Sequence, residues 1–391
     1  MSDMAEEIRP AAPNPADSFT FQPPVIARHD HESRIAQPST FLLPRGKVAE
    51  MHQERLQELP QEEKPEEQPE EKPMSALDRD QQKGLKSIRD FLKRRTSYDV
   101  LPLSFRLIIL NTDLLVKKSL TILLQNGIVS APLWDSHTST FAGLLTTSDY
   151  INVIQYYWQN PEALNQIDQF KLSSLRDIEK AIGVLPLETV SVHPARPLYD
   201  ACREMLQTRA RRIPLVDVDD ETGKEMVVSV ITQYRILKFI SVNVEETEFL
   251  KKSVSDIKLG TYGDLQTANM DTPVIDVIHM MVKHSISSVP IVDKDSRVLN
   301  LFEAVDVITI IKGGVYDGLT LTVGEALANR AEDFAGIYTC SEEDRLDSIF
   351  DTIRKSRVHR LVVIDEEQHL KGVISLSDIL QYVLLHGEDD D

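Results

Sequence analysis

Only two of the 391 residues are cysteine, Cys202 and Cys340. Two thiols cannot build the disulfide framework on which small secreted domains depend, so a reducing compartment is expected. No apolar run approaches the ~20 residues needed to cross a bilayer as a helix. The opening MSDMAEEIRP has neither a signal-peptide core nor an Arg-rich, acid-poor transit composition, which predicts an intracellular protein. Positive charge is scarce: 43 Lys and Arg face 62 Asp and Glu, a net charge of −19 that opposes non-specific binding to nucleic acid. Walker A, GxGxxG, GxSxG and zinc-spaced Cys/His motifs are all missing. Val358-His359-Arg360-Leu361 lacks the aspartate of a kinase catalytic loop, and Asp333-Phe334-Ala335-Gly336 echoes its metal-binding segment only superficially. Lys312-Gly313-Gly314-Val315 is too short for a phosphate loop and reads as a helix end. No catalytic residue and no metal site are assigned.

What is present divides into a tail and a body. Residues 1–74 hold 11 of the 20 prolines and 15 acidic against 8 basic residues. Gln61–Pro73 repeats an EE dipeptide broken by proline. Like-charge repulsion and missing amide donors leave such a segment without the apolar burial that would offset its ordering entropy. Residues 1–80 are therefore expected to be disordered, with brief helix around Lys47–Leu59, and His29 and His31 to be solvated. From Gln81 the spacing of Leu85, Ile88, Phe91 and Leu92 predicts a helix.

The body repeats itself. Four octamers align: IVSAPLWD (Ile128–Asp135), ARRIPLVD (Ala210–Asp217), ISSVPIVD (Ile286–Asp293) and VHRLVVID (Val358–Asp365). Each follows an amphipathic segment and precedes a second strand and another helix. The pattern predicts strand–helix–strand–strand–helix units of ~50–60 residues, too small to stand alone, which should pair with their neighbours.

Two constellations recur. Strand-to-helix junctions read Thr146-Thr147-Ser148-Asp149, Thr232-Gln233-Tyr234-Arg235, Glu303-Ala304-Val305-Asp306 and Ser375-Leu376-Ser377-Asp378. A carboxylate in a first helical turn is ordinarily a cap. Recurrence at matched positions adds a second use, because a carboxylate can accept two hydroxyls from a ribose diol. Arg235 cannot accept at all, so the second copy should lack standard ribose recognition. The octamers contribute Arg211-Arg212 and His359-Arg360. An arginine pair is ordinarily solvated surface, but these precede buried strands at equivalent places. Converging, they would form a basic centre suited to phosphate, since guanidinium forks match phosphate oxygens. Together these features describe a nucleotide site without a nucleophile.

The fourfold pattern resembles four tandem cystathionine-β-synthase (CBS) motifs. More narrowly, it is similar to the γ-subunit family of AMP-activated protein kinases in its fungal form, that of the sucrose-non-fermenting kinase complex. The resemblance rests on SAPLWDS (Ser130–Ser136), FAGLLTTSDYINVIQYY (Phe141–Tyr157), TQYRILKFI (Thr232–Ile240), VGEAL (Val323–Leu327), VHRLVVID and GVISLSDIL (Gly372–Leu380), and covers about residues 85–386. It implies a mixed α/β fold in which four CBS motifs (about 98–160, 183–242, 254–313 and 330–386) pair into two Bateman modules, 81–242 and 243–391, forming a flat pseudo-symmetric disc. It implies adenine nucleotide (AMP, ADP or ATP) as regulatory ligand, without metal or covalent cofactor. The fourth motif's cleft is expected to use Asp378, Ser375 and Ser377, with Thr261 and Ser287 from the third and Arg211 facing phosphate. Arg212 and Asp149, with Thr146 ahead of it, match the first cleft; Asp306, His359 and Arg360 match the third. Thr232 and Arg235 remain candidate contacts. Val129 and Tyr234 stand where animal relatives carry arginine and lysine, which implies fewer and weaker sites. The resemblance further implies a non-catalytic regulatory role, catalytic α and scaffolding β partners docking near Tyr98–Pro102, and a cytoplasmic and nuclear location. A stand-alone homodimeric CBS protein gating another enzyme or transporter is the alternative. An enzyme carrying the repeats as an appendage is disfavoured, since tail and repeats leave no room for a catalytic domain.

Overall fold

The computed structural model describes residues 74–387 apart from 105, 164–168, 186–188, 209, 312–315, 331–333 and 335. The tail before residue 74, with His29, His31 and Lys47–Leu59, and the segment Lys312–Val315 lie outside the described residues.

Helix α1 (Ala76–Arg94) starts five residues before the expected start at Gln81. The Ser75 side chain caps it, accepting the Asp78 N–H, so polar residues that carry no periodic signal open the first turn. Residues 76–80, the end of the segment expected to be disordered, are thus helical. Four units follow. The first contains β1 (Leu110–Asn111), α2 (Val116–Gln125), β2 (Ser130–Asp135), β3 (Thr140–Thr146) and α3 (Thr147–Gln159). A short helix α4 (Leu175–Ala181) leads to the second, with α5 (Leu198–Gln207), β4 (Arg212–Val218), β5 (Glu225–Thr232) and α6 (Gln233–Asn243). The third has α7 (Val274–His284), β6 (Ser288–Val292), β7 (Val298–Glu303) and α8 (Ala304–Ile310). After α9 (Val323–Ala328) comes the fourth: β8 (Thr339–Cys340), α10 (Leu346–Lys355), β9 (Arg360–Ile364), β10 (Leu370–Ser375) and α11 (Leu376–Leu385).

Each unit centres on an antiparallel hairpin, β2–β3, β4–β5, β6–β7 or β9–β10, and each hairpin carries one register shift. In the first and fourth units a short parallel strand completes the sheet. In the second and third that strand shrinks to single bridges, Val192 to Leu215 and Ala268 to Ile291. The octamer prolines Pro214 and Pro290 supply its carbonyl acceptors, at 3.0 and 3.1 Å. The octamer strands are buried over three or four consecutive residues rather than alternately, as expected when both faces of a strand are covered.

Units one and two meet through their sheets, where the Phe141 N–H donates to the Glu225 carboxylate at 2.7 Å. Units three and four meet likewise, Arg297 bridging to His369 and Thr261 to Val373. Helices join the units crosswise. Cys202, Met205, Ile236 and Ile240 of the second share a core with Phe350, Ile353, Leu380 and Val383 of the fourth, closed by Leu85 and Ile88 of α1. Ile151 and Ile154 of α3 enter the third unit's core, and Ile308 of α8 enters the first's. Each unit therefore shares an apolar core with the unit crosswise to it and meets its neighbour through the sheets. Phe350 is fully buried, so Phe350→Ala should lower stability by about 3–5 kcal/mol in chemical denaturation. Gly260 has φ +107°, and a Cβ there would lie 2.8 Å from the Val373 carbonyl oxygen. Gly260→Ala should cost about 1–3 kcal/mol in the same assay and loosen the Thr261–Val373 crossing.

Candidate functional site

The four strand-to-helix junctions solve one problem, the unpaired N–H groups of a helix start. In three of them a residue of the strand end and the aspartate three positions on cap reciprocally: Thr146 with Asp149, Glu303 with Asp306, Ser375 with Asp378. One carboxylate oxygen is consumed in each. Asp149 Oδ2 accepts from the Thr146 N–H at 2.6 Å and hydroxyl at 2.8 Å. Asp306 Oδ2 accepts from the Glu303 N–H at 2.7 Å, and Asp378 Oδ2 from the Ser375 N–H and hydroxyl at 2.7 and 2.8 Å. In the second unit Thr232 caps α6 by accepting the Arg235 N–H at 3.2 Å, and the arginine returns nothing. Burial lowers the Arg235 pKa, and no hydrogen bond or ion pair of its guanidinium occurs among the described residues.

The second carboxylate oxygen distinguishes the copies. Asp149 is buried, with Arg176 Nη1 3.9 Å from Oδ1. Asp306 is gripped by Arg330, whose Nε and Nη2 lie 2.7 and 2.6 Å from Oδ1 and Oδ2. Asp378 is half-buried, and its Oδ1 has no protein partner among the described residues. Around Asp378, Ser377 donates to the Oε1 of buried Gln233 at 3.1 Å. Thr261 exchanges two 2.9 Å backbone hydrogen bonds with Val373. Tyr262 packs against Gly372, and burial with nearby Glu342, Cys340 and Asp378 pushes its hydroxyl up to about 12.

The cations do converge. The buried Ser287 hydroxyl accepts from Arg360 Nη2 at 3.2 Å and from Arg211 Nη1. Arg211 and His359 are exposed, although nearby protein partly desolvates their charged ends. Burial, then Arg360 and Arg212, push Arg211 down to about 10, so it stays charged at neutral pH. Burial, then Arg212, Arg360 and Arg357, push His359 down to about 4, leaving it neutral. Arg360 Nε has no hydrogen bond of good geometry, although Glu303 Oε1 lies 3.2 Å away as an ion-pair partner. Arg212 lies close enough to His359 to lower its basicity, and no hydrogen bond or ion pair joins it to Asp149 among the described residues. Tyr234 faces His359 at 5.9 Å between ring centroids and donates to the Ser356 carbonyl at 3.3 Å.

Arg176, Arg330, Glu303 in its ion-pairing role, Gln233 and Tyr262 are absent from the sequence-level site. Arg330 and Asp306 lie 24 positions apart with no local pattern linking them. A cavity of about 430 Å³ lined by Ile109, Trp134, Glu225 and Met226 contains none of the candidate residues. Asp365, Glu367 and His369 stand within metal-binding reach of one another. The Asp365 carboxylate, however, already takes Lys371 at 3.0 Å and His369 at 3.1 Å, the arrangement of a braced turn. Burial pushes Asp149 up to about 6, against the Thr146 hydroxyl and Arg176. The folded state then holds this proton more tightly than the unfolded chain. Relative to Asp149→Asn, the protein should lose about 2–3 kcal/mol as pH rises from about 4 to above 6, measured by denaturation across that window.

The CBS domain family model matches residues 184–242, 254–313 and 332–385. The structure superposes on protein MJ1225 from Methanocaldococcus jannaschii with a TM-score of 0.59 and 16% identity, covering 74% of this chain and 99% of that one, a likeness of fold. The 5'-AMP-activated protein kinase subunit gamma of Saccharomyces cerevisiae is 56% identical over 306 residues, 78% of this chain and 95% of the relative. Its Kluyveromyces lactis counterpart is 55% identical over 309 residues, 79% of this chain and 94% of the relative. With the CBS fold in place and more than half of the residues shared along almost the whole of both relatives, the chain belongs to the family of 5'-AMP-activated protein kinase γ subunits.

Proposed function

We propose that this chain is the non-catalytic, nucleotide-sensing subunit of a heterotrimeric Ser/Thr kinase, working with a catalytic α and a scaffolding β subunit in cytoplasm and nucleus. One observation carries the choice of site: among the three capping aspartates, Asp378 alone keeps a carboxylate oxygen free of protein partners among the described residues. That oxygen accepts the ribose hydroxyls of AMP, ADP or ATP, with Ser375, Ser377 and Thr261 beside it. Arg211 and Arg360, gathered by Ser287, face the phosphates, and neutral His359 adds a donor without adding charge. Regulation follows if the nucleotide binds two arrangements of the complex unequally, since equal affinity shifts no population.

Calorimetric titration of the full chain with AMP, ADP and ATP tests the site. Asp378→Ala should weaken binding at least tenfold to a hundredfold, because hydrogen bonds to a charged group contribute about 1.5–3 kcal/mol each. Saturable binding unchanged by Asp378→Ala would place the ligand elsewhere. Co-expression with α and β chains should give a single co-eluting complex on size exclusion. A homodimer that ignores both would favour a stand-alone CBS protein instead.

A further inference from the structure

We infer that the third cleft is closed by groups of the chain itself, with Arg330 occupying the place of a ribose diol and Glu303 the place of a phosphate. The inference rests on the nucleotide reading above and concerns which clefts can be filled. Arg330 comes from the connector after α9, outside the third unit's own hairpin and helix, yet it reaches back to Asp306. Its guanidinium spends four hydrogen bonds there: Nε and Nη2 on the two Asp306 oxygens, Nη1 on Asn300 Oδ1 at 2.9 Å, and Nη2 on the Leu301 carbonyl at 2.6 Å. The Phe334 ring covers its outer face, 4.2 Å from ring centroid to guanidinium carbon. Side-chain exposure is 11% for Arg330 and 10% for Asp306, so the pair is withdrawn from water. With the Glu303 N–H and the Arg330 fork in place, only one lone pair of Oδ1 is left over, too few for a hydroxyl pair.

The other end of the cleft is treated in the same way. Position one of the junction is Thr146, Thr232 and Ser375 in the other units, and Glu303 in the third. A hydroxyl there is neutral toward phosphate, whereas a carboxylate repels it. Glu303 instead holds Arg360 at 3.2 Å, so a cation of the shared centre already has an anionic partner on that side. The first unit shows a weaker form of the first device. Arg176, from the connector helix α4, donates from Nη1 to both Glu179 oxygens at 2.9 and 2.7 Å, and the same nitrogen lies 3.9 Å from Asp149. In the fourth unit no such arginine reaches Asp378 among the described residues.

The test measures AMP stoichiometry on the full-length chain by equilibrium dialysis, with Asp378→Ala as the background. At AMP concentrations that just fill the wild-type site, Asp378→Ala alone should bind little AMP, well below one per chain. Adding Arg330→Gln with Glu303→Ser should restore one AMP per chain, and Asp306→Asn should remove it again. Residual AMP binding to Asp378→Ala that Asp306→Asn abolishes would overturn the inference without touching the wild-type arginine, and would leave the nucleotide reading standing. Failure of a folded triple variant, confirmed by a cooperative thermal transition, to gain a site would also overturn it. Absence of AMP binding to wild type would overturn the nucleotide reading itself, while a gain in the opened variant would still support closure of the third cleft.

Discussion

Crowding of like charge at one point is the constraint around which the molecule is arranged. The octamers of the second, third and fourth units meet through Arg211, Ser287 and Arg360, and two of their strands begin with cations. Burial depresses the basicity of Arg211, Arg212 and Arg360, repulsion from Arg360 and Arg212 adds to it at Arg211, and burial with the neighbouring arginines leaves His359 neutral at neutral pH. A protein can tolerate such a cluster only by supplying partners or by leaving it open to an anion. Here both occur. Ser287 accepts from two guanidinium groups at once, and Glu303 neutralises one side.

The apolar packing is what keeps that arrangement from relaxing apart. Because the helices of the second unit share a core with those of the fourth, and those of the first with the third, no unit can withdraw its cation without exposing buried side chains. At roughly 25 cal/mol per Å² of apolar surface, losing even one such interface outweighs the repulsion among a few partly solvated charges. The sheet contacts, by contrast, are backbone crossings such as Thr261 with Val373, where glycines at 260 and 372 allow the chains to approach.

Much of this was legible from residue order. Four matched octamers announce four units, and the strand–helix–strand–strand–helix pattern is found, with the first strand reduced to one bridge in the second and third units. The convergence of Arg211, Arg360 and Ser287 also follows from equivalence of position in a repeat. Three things escaped. The start of α1 is set by a polar cap, Ser75, which periodicity does not register. The crosswise sharing of cores depends on which helix faces which, and amphipathic patterns alone do not choose among apolar neighbours. Arg176 and Arg330 sit in connectors outside the repeat, so an alignment of repeats passes over them.

That last omission bears on how repeated sites come to differ. The three capping aspartates are nearly equivalent as a local motif: each spends one oxygen on its own helix start, at 2.6–2.8 Å from the donors. Selection among them therefore cannot come from the motif, because a change there would also uncap the helix, at a cost of about 1 kcal/mol. A connector arginine avoids that cost. It uses the oxygen that the cap leaves over, and it exchanges a solvated charge for a satisfied, buried ion pair. Arg235 represents the other route, replacing the aspartate outright and leaving Thr232 to cap alone. Both routes silence ribose recognition while preserving the fold, so the capacity of the protein for ligand can drift without disturbing the packing that its four units require.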